Sequence, residues 1–355
     1  MPRDASTPAG ARAVTAVAPA KINLHLGVGD VRGDGYHDLL TVYRAVDLWE
    51  RVTVALVDAD AADDDEVIVT GSGAPQVPTD RTNLAARAVD LLREEAGSDA
   101  RIAIRIHKGV PVAGGMAGGS ADAAAALVAT DRLLGLGLGR AALEERAARL
   151  GSDVPFCIRG GTALGTGRGE KLATLLHARA EQHIVVALAD GGLSTPTVFA
   201  ELDRLRAERD RLRAERDRLR AERDRLRAER DPADPERDPA DPERGLPRAG
   251  GVDPLVAALA GDDPAAVAGL LANDMEAAAL SLMPALRRTL RVGREAGALH
   301  GMVSGSGPTC LFFCTDRDHA IAVAAEISEH GVAREVRVTR GPVGGAHIVD
   351  DPTGK

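Results

Sequence analysis

A glycine-rich run between a strand pattern and a helix pattern constrains this chain more than any other feature. Residues 109–120 read Gly-Val-Pro-Val-Ala-Gly-Gly-Met-Ala-Gly-Gly-Ser, after the β-branched alternation of residues 102–106 and before the alanine-rich residues 121–134. Glycines ahead of a helix let backbone N–H groups approach an anion closely, and the helix dipole favours negative charge at that end. The order of strand, glycine loop and helix therefore predicts a phosphate-binding site.

The run matches neither of two common nucleotide-binding motifs. Ser120 follows Gly119 where the P-loop needs a lysine, and no GxGxxG dinucleotide motif is present. Glycine turns before helices are also common as simple connections, so the run needs independent support. A net charge of −9 gives the chain no overall basic field, which argues against a nucleic-acid partner and suits a small or anionic ligand held by local groups.

Size and composition predict two domains. The chain has 355 residues, 45% of them hydrophobic, which is enough for two ordinary cores. No stretch supplies 18 apolar residues in a row and the N-terminus has no apolar export segment, so we expect neither membrane insertion nor export. Cys157, Cys310 and Cys314 form no CxxC pair, and we interpret them as reduced core residues of a cytoplasmic protein.

Hydrophobic periodicity predicts the order of the elements. Residues 13–57 predict strands joined by a long loop around a glycine-rich turn, and residues 58–80 predict turns. Further along the chain the predicted elements are a helix at 83–95, a strand at 102–106, a helix at 121–134, a strand at 184–189, helices over 254–298 broken near Pro284, a buried strand at 310–314, a helix at 321–330 and a strand at 333–338.

A low-complexity insertion interrupts this alternation. Residues 204–231 repeat Arg-Leu-Arg-Ala-Glu-Arg-Asp four times, and residues 232–245 repeat a proline-rich heptapeptide twice. The first part is rich in helix formers with a leucine every seventh residue, but the other seam positions of the heptad hold Glu and Arg, which makes a poor dimer interface. We therefore predict a solvated helical appendage that begins at Arg204 and ends at the prolines, and whose removal leaves catalysis nearly intact.

Two further segments carry residue types suited to catalysis. Residues 19–24, Pro-Ala-Lys-Ile-Asn-Leu, place Lys21 and Asn23 on alternate positions of an apolar strand. Residues 151–156, Gly-Ser-Asp-Val-Pro-Phe, place Asp153 between a predicted helix end and an apolar run. A lone lysine in a strand more often extends to solvent, and a lone aspartate in such a setting is usually a cap or turn residue. Neither segment decides function by itself.

Taken together, these motifs resemble those of the 4-diphosphocytidyl-2-C-methyl-D-erythritol kinases, a family of the GHMP kinase superfamily. In chain order they are residues 19–24, 33–39, 111–124, 151–156 and 305–309. The glycine loop and the Gly-Ser-Gly turn at 305–307 are shared across GHMP kinases such as homoserine and mevalonate kinases. The Ala-Lys-Ile-Asn-Leu and Asp-Gly-Tyr-His motifs are narrower and carry the specific resemblance, which spans about residues 14–340 apart from the insertion.

The resemblance implies a two-domain α+β GHMP kinase fold. It implies a ribosomal-protein-S5-domain-2-like, ATP-binding N-terminal domain over residues 13–172 and a ferredoxin-like C-terminal domain over residues 173–345, interrupted by the insertion at 204–245. Residues 1–12 and 346–355 would be flexible ends. ATP and substrate would meet in the cleft between the two domains.

The resemblance also implies a reaction, the phosphorylation by ATP of the 2-hydroxyl of 4-CDP-2-C-methyl-D-erythritol in the non-mevalonate isoprenoid pathway. Asp153 would be the general base, and Lys21 would hold Asp153 and the hydroxyl in position. The ATP phosphates would lie against Pro111, Val112, Ala113, Gly114, Gly115, Met116, Ala117, Gly118, Gly119 and Ser120. The cytidine-bearing substrate would lie against Asn23, Tyr36, His37, Thr195 and Phe199, the last of these in a loop and stacked on the cytosine. Mg²⁺ is expected with ATP, whereas the sequence identifies neither a protein ligand for it nor an oligomeric state.

The loop departs from the family pattern, Gly-Gly-Leu-Gly-Gly-Gly-Ser-Ser, at three positions. Met116 replaces a leucine, Ala117 a glycine and Ala121 the second serine, which leaves Ser120 as the candidate hydroxyl for phosphate or metal. Two alternatives stay open: a GHMP kinase for another alcohol such as homoserine, and a nucleotide-binding scaffold that has lost catalysis. The presence of both Lys21 and Asp153 argues against the second alternative.

Overall fold

The computed structural model describes residues 13–57, 67–112, 114–176, 180–230 and 249–349, with only the backbone of residues 227–230. It contains two sheets and confirms the α+β class. The strands are β1 (Ala13–Val31), β2 (His37–Leu56), β3 (Val67–Gly71), β4 (Ile102–Lys108), β5 (Thr162–Thr166), β6 (Lys171–Thr174), β7 (Gln182–Leu188), β8 (Ala272–Asn273), β9 (His300–Val303), β10 (Cys310–Cys314), β11 (Glu335–Gly341) and β12 (His347–Val349). The helices are α1 (Leu84–Glu95), α2 (Gly118–Leu134), α3 (Arg140–Leu150), α4 (Val154–Arg159), α5 (Thr195–Arg230), α6 (Asp253–Ala258), α7 (Pro264–Ala268), α8 (Glu276–Leu282), α9 (Leu286–Glu295) and α10 (Arg317–Glu329), with one 3-10 turn at Ala74–Gln76.

The larger sheet forms the N-terminal domain around two long strands. Its order is β12-β1-β2-β4-β3, with β5 on β2, β6 on β5 and β8 on β1. One face packs against α1, α2, α3 and α4 in a core that includes the fully buried alanines of α2. Because alanine side chains are short, α2 lies close to the sheet, which brings the glycine loop at its N-terminus next to β1.

The smaller sheet forms the C-terminal domain. Its strands pair antiparallel in the order β11-β7-β10-β9, which is the fourth, first, third and second strand of this sheet along the chain. This order confirms the ferredoxin-like expectation. Helices α9 and α10 cover one face, while the other face packs against apolar residues of β1 and β2. The two domains therefore share a hydrophobic core, and the functional cleft opens at their junction.

The loop between β1 and β2 is shorter than the sequence predicted. Antiparallel pairing runs from Ala13 opposite Ala55 to Val31 opposite His37, so residues 32–36 alone make the turn. Three register shifts, which are β-bulges or irregularities, let the glycine-rich stretch stay inside the ladder. In the predicted turn region, residues 67–71 form β3, which pairs parallel with β4, and residues 58–66 lie outside the described part of the chain.

Two predicted domain limits also need correction. The expected N-terminal domain stops at residue 172, but β6 continues to Thr174 because it pairs with β5. The expected flexible tail at 346–355 contains β12, which pairs with Thr15, Ala16 and Val17 of β1 and so completes the edge of the larger sheet. Residues 1–12 and 350–355 lie outside the described part of the chain.

The heptapeptide repeat is helical, as predicted, but its first copy is part of the fold. Helix α5 runs from Thr195 through the repeats to Arg230, whereas the proline-rich residues 231–245 lie outside the described residues. The later leucines, Leu212, Leu219 and Leu226, are exposed. Leu205 instead packs against a small core, and Arg206 is 9% exposed. The predicted start of the appendage at Arg204 is therefore wrong, because the first repeat contacts the end of β1.

Candidate active site

A cavity of about 870 Å³ lies where the two domains meet. Strands β1 and β2, the glycine loop and the start of α4 approach it from one domain, and the start of α5 and the turn before β10 approach from the other. Every predicted site residue that the structure describes lines this cavity, and Ala113 lies outside the described residues. The lining set is Lys21, Asn23, Tyr36, His37, Pro111, Val112, Gly114, Gly115, Met116, Ala117, Gly118, Gly119, Ser120, Asp153, Thr195 and Phe199.

Lys21 and Asn23 reach the cavity because strand residues alternate between faces. Their neighbours Ala20, Ile22 and Leu24 enter the shared core instead. The Lys21 ammonium lies 3.5 Å from Oδ2 of Asp153 and donates a 2.9 Å hydrogen bond to Oδ1 of Asn23. The Asn23 amide in turn donates to the Thr41 hydroxyl at 2.7 Å. A buried polar chain therefore fixes the lysine beside the carboxylate.

Asp153 is held from its other side by Tyr43. Asp153 occupies the N-cap position of α4, yet its side chain caps no helix N–H, so the carboxylate stays available to the cavity. The Tyr43 hydroxyl donates to Oδ1 of Asp153 at 3.1 Å. Burial and the charge of Asp153 raise the pKa of Tyr43 well above its ordinary value, so this phenol remains a neutral donor.

The glycine loop is packed against the turn before β10. At Gly115, with φ of 70°, a Cβ atom would lie 2.2 Å from the Ser304 carbonyl oxygen, so only glycine fits. The Lys21 backbone N–H donates to the Met116 carbonyl at 3.1 Å, which ties the loop to β1. Gly118, Gly119 and Ser120 open α2, and the first N–H groups of a helix have no partner within it. The start of α2 can therefore bind an anion that enters the cavity.

A buried charge cluster below the loop was not predicted from the sequence. The Lys108 ammonium lies 2.6 Å from Oε1 of Glu50 and 2.5 Å from Oδ2 of Asp122, and all three side chains are almost fully buried. Burial and the charge of Asp122 raise the pKa of Glu50 to about 7. Burial also raises the pKa of Asp122. The only sequence signal was Lys108 at the end of an apolar strand, directly before the loop.

The far end of the cavity carries aromatic side chains. Tyr36 is 54% exposed, and the His37 ring stacks on Phe199 at 4.7 Å between centroids. Asp203, which the sequence analysis missed, lies 2.9 Å from Nε2 of His37. Phe199 lies in the first turns of α5 rather than in the predicted loop, because Pro196 suits a helix start and the Ser194 hydroxyl accepts from the Thr197 N–H at 3.3 Å.

Comparison with known proteins places this arrangement in a family. The GHMP kinases N terminal domain matches residues 83–161, and GHMP kinases C terminal matches residues 255–333. A 4-diphosphocytidyl-2-C-methyl-D-erythritol kinase of Nocardia farcinica is 52% identical over 94% of this chain and 95% of its own length. One from Mycolicibacterium smegmatis is 51% identical over 96% of this chain and 94% of its own. The chain belongs to the 4-diphosphocytidyl-2-C-methyl-D-erythritol kinase family.

Solved structures agree with membership in this kinase family. A crystal structure of a 4-(cytidine 5'-diphospho)-2C-methyl-D-erythritol kinase is 28% identical, with a TM-score of 0.64 over 93% of this chain and 100% of its own. A homoserine kinase from Cytophaga hutchinsonii has a TM-score of 0.68 over 98% of this chain and 100% of its own, but only 17% identity. The second likeness shows a shared GHMP kinase fold and does not favour homoserine as the substrate.

The fold explains the loop positions at which this chain departs from the kinase family's pattern. Met116 is 1% exposed, so it lines the cavity while its side chain packs in the shared core, and Ala121 is fully buried in the core of the larger sheet and does not line the cavity. Ala117 lies at φ of 60°, the left-handed region that favours glycine, at the N-cap of α2. The loss of glycine at this position therefore strains the backbone without removing an anion-binding N–H.

Proposed function

We propose that this chain transfers the γ-phosphoryl group of ATP to the 2-hydroxyl of 4-CDP-2-C-methyl-D-erythritol in the non-mevalonate pathway. The observation that carries this proposal is the Lys21–Asp153 pair, at 3.5 Å, in the same cavity as the glycine loop. Asp153 takes the proton of the hydroxyl as it attacks. The Lys21 charge offsets the negative charge that develops on that oxygen. Phosphoryl transfer needs mainly positioning and electrostatic stabilisation, and both groups are already held by hydrogen bonds.

The glycine loop and the start of α2 bind the ATP phosphates in this proposal. Within the part of the chain that the structure describes, no cluster of three or more His, Cys, Asp or Glu side chains is suited to a metal ion. Mg²⁺ with a nucleotide needs few protein ligands, because phosphates and water supply most of its oxygens. Ser120 and the unpartnered Oδ1 of Asp122, both at the start of α2, fit that need. Bound there, Mg²⁺ would neutralise phosphate charge.

The aromatic end of the cavity receives the cytosine in this proposal. Tyr36 and Phe199 offer ring faces to a flat pyrimidine, and stacking on an aromatic ring is favourable for any base. The His37 ring already covers one face of Phe199, so the base takes the other face or displaces His37. Asn23 and Thr195 lie nearer the Gly-Ser-Gly turn, where Thr195 is 3.1 Å from the Ser306 hydroxyl. They contact the alcohol end of the substrate.

We propose the cytoplasm as the compartment of this reaction. Cys157, Cys310 and Cys314 are all free thiols within the core, as a reducing compartment would leave them. No helix among the described residues has the length and apolar character that a membrane span requires.

Steady-state kinetics with a panel of alcohols test the proposed reaction. We expect turnover of 4-CDP-2-C-methyl-D-erythritol and little or none of homoserine or mevalonate. Asp153→Asn should lower kcat about 10²- to 10⁴-fold with ATP binding unchanged, as for loss of a general base. Asp90→Asn, on the surface of α1, is the matched control and should leave kcat unchanged. Comparable turnover of homoserine, or an Asp153→Asn enzyme within tenfold of the parent, would contradict the proposal.

A further inference from the structure

The cationic side chains that line the cavity differ in their partners. The Lys21 ammonium faces Asp153, and the Lys108 ammonium lies between two buried carboxylates. Arg168 also lines the cavity, and its guanidinium forms no ion pair with any carboxylate among the described residues. Among the described lysines and arginines that line the cavity, Arg168 is therefore the one whose positive charge no carboxylate offsets, so this charge is available to a ligand. Neither sequence motifs nor family resemblance assigns it a role.

Arg168 stands on a turn that is fixed to the proposed catalytic centre. Its own N–H donates to the Glu170 carboxylate at 2.7 Å, and the preceding carbonyl, of Gly167, accepts from the Leu39 N–H at 2.7 Å. At Gly169 a Cβ atom would lie 2.3 Å from the Tyr43 hydroxyl, so the turn packs directly on the phenol that holds Asp153. The backbone of Arg168 is therefore fixed next to the phenol that holds Asp153.

The side chain of Arg168 extends toward the other end of the cavity. Its guanidinium lies 4.9 Å from the centre of the Tyr36 ring, in cation–π contact with the aromatic proposed for the pyrimidine. Arg168 thus links the residue that holds the proposed base catalyst to the residue that would stack on the nucleobase. The proposed substrate has the same order, with a diphosphate between its reacting alcohol and its nucleobase.

We propose that Arg168 binds the diphosphate that joins the alcohol to the pyrimidine nucleoside, an inference that rests on the proposed function. The planar guanidinium offers two parallel N–H groups to phosphate oxygens, a geometry that an ammonium lacks. The ATP phosphates already have the backbone N–H groups of the glycine loop, whereas the second diphosphate has no other unpaired lysine or arginine among the described lining residues. Arg168 then selects nucleotide-linked alcohols over free alcohols.

Calorimetric titration with cytidine and with CDP tests this assignment. A non-hydrolysable ATP analogue is kept at saturation so that CDP cannot occupy the ATP site. The parent should bind CDP more tightly than cytidine. Arg168→Gln should weaken CDP binding about 10- to 100-fold, as for a lost charge-assisted contact, and change cytidine binding less than twofold. Arg168→Lys keeps the positive charge but not the planar guanidinium, so it should weaken CDP binding less than Arg168→Gln does.

Arg149→Gln is the matched control, because it removes the same charge from an exposed position on α3 outside the cavity. It should change neither affinity. Equal weakening of cytidine and CDP by Arg168→Gln would overturn the assignment, since Arg168 would then only support the Tyr36 ring. Unchanged CDP binding would overturn it too. If the parent protein binds neither cytidine nor CDP, the proposed substrate site itself is wrong. This outcome differs from one in which the parent binds both ligands and only the role of Arg168 is contradicted.

Discussion

At the scale of single residues, the carboxylate of Asp153 depends on donors from two neighbouring strands. Lys21 supplies charge from β1, and Tyr43 supplies a hydrogen bond from β2. Tyr43→Phe keeps the ring on Phe156, at 4.9 Å between centroids, but removes the donor. We expect kcat to fall about 10- to 100-fold, since hydrogen bonds to charged groups contribute about 1.5–3 kcal/mol. The KM for ATP should not change, and an unaltered kcat would exclude a positioning role for the phenol.

The buried Glu50 carboxylate should make stability depend on pH. Its pKa is raised by burial and by Asp122 to about 7, from 4.5. Between these pH values the folded chain keeps a proton on Glu50 that the unfolded chain releases. The contribution of this proton to the free energy of unfolding is therefore complete below about pH 4.5 and is lost as the pH rises to 7. Urea titrations should show the free energy of unfolding decreasing with pH in this window, by at most about 1.4 kcal/mol per pH unit. Glu50→Gln should reduce the slope, and equal slopes would contradict the shifted pKa.

At the scale of elements, the start of α2 carries a strained residue that can be relieved. Ala117 adopts φ of 60°, which costs an L-residue roughly 1–2 kcal/mol. Ala117→Gly should raise the free energy of unfolding by about 0.5–1 kcal/mol, because glycine's larger unfolded-state entropy offsets part of the relief. Ala121→Gly, one turn further in the same helix, should instead destabilise by about 1 kcal/mol. Chemical denaturation measures both, and equal signs would refute the strain argument.

Helix α5 combines a structural first repeat with exposed later ones. Arg206 donates to the carbonyls of Val28 and Gly29 and lies 3.2 Å from Asp274. Arg206→Ala should destabilise by about 3 kcal/mol, because it leaves the buried Asp274 without its cation. Arg213→Ala changes the same position of the next repeat, which is less buried, and should stay within about 0.5 kcal/mol. Equal losses of stability in the two variants, measured by thermal denaturation, would contradict the conclusion that the first repeat is structural and the later ones are not.

The same division changes how the insertion should be tested. Removal of residues 204–245 would also remove the Arg206 contacts, so loss of activity would not isolate the appendage. Removal of residues 211–224 takes out two identical repeats and keeps the helical register on both sides. We expect kcat and both KM values to stay within twofold. Loss of turnover by this shortened but folded enzyme would show that the outer helix contributes to catalysis.

At the scale of the whole molecule, the shared core predicts that the two domains unfold together. Leu311 of β10 is fully buried in that core, next to residues of β1 and β2. Trp49, the one tryptophan of the chain, lies on β2 in the other domain. Leu311→Ala should destabilise by about 2–5 kcal/mol and should lower the denaturation midpoint of Trp49 fluorescence as much as that of circular dichroism. An unchanged fluorescence midpoint would mean that the domains unfold independently.

Much of the fold and of the site followed from local patterns. Three features depend only on residues that are close in sequence: the order of strand, glycine loop and helix, the alternation of Lys21 with Ile22, and the helical heptads. The sequence therefore predicts them, and the structure contains them. The domain limits were less accurate because β6 and β12 are short strands that exist only through pairing with distant partners. The sequence predicts a loop at Phe199, whereas the structure begins α5 at Thr195, because Pro196 is compatible with the first turn of a helix.

The sequence by itself determined the family motifs, the class of fold and which residue types could meet a phosphate. Only the tertiary structure decided which of several chemically similar residues lie in the cavity or in the core. Tyr43, Asp122 and Arg168 lie in ordinary strand, helix and turn patterns, and they acquire a place in the cavity only because β2, α2 and the β5–β6 turn converge there. Arg206 and Arg213 occupy identical positions of identical repeats, yet Arg206 is buried against the end of β1 and Arg213 is less buried. Local sequence cannot distinguish them, because burial depends on what lies opposite in space.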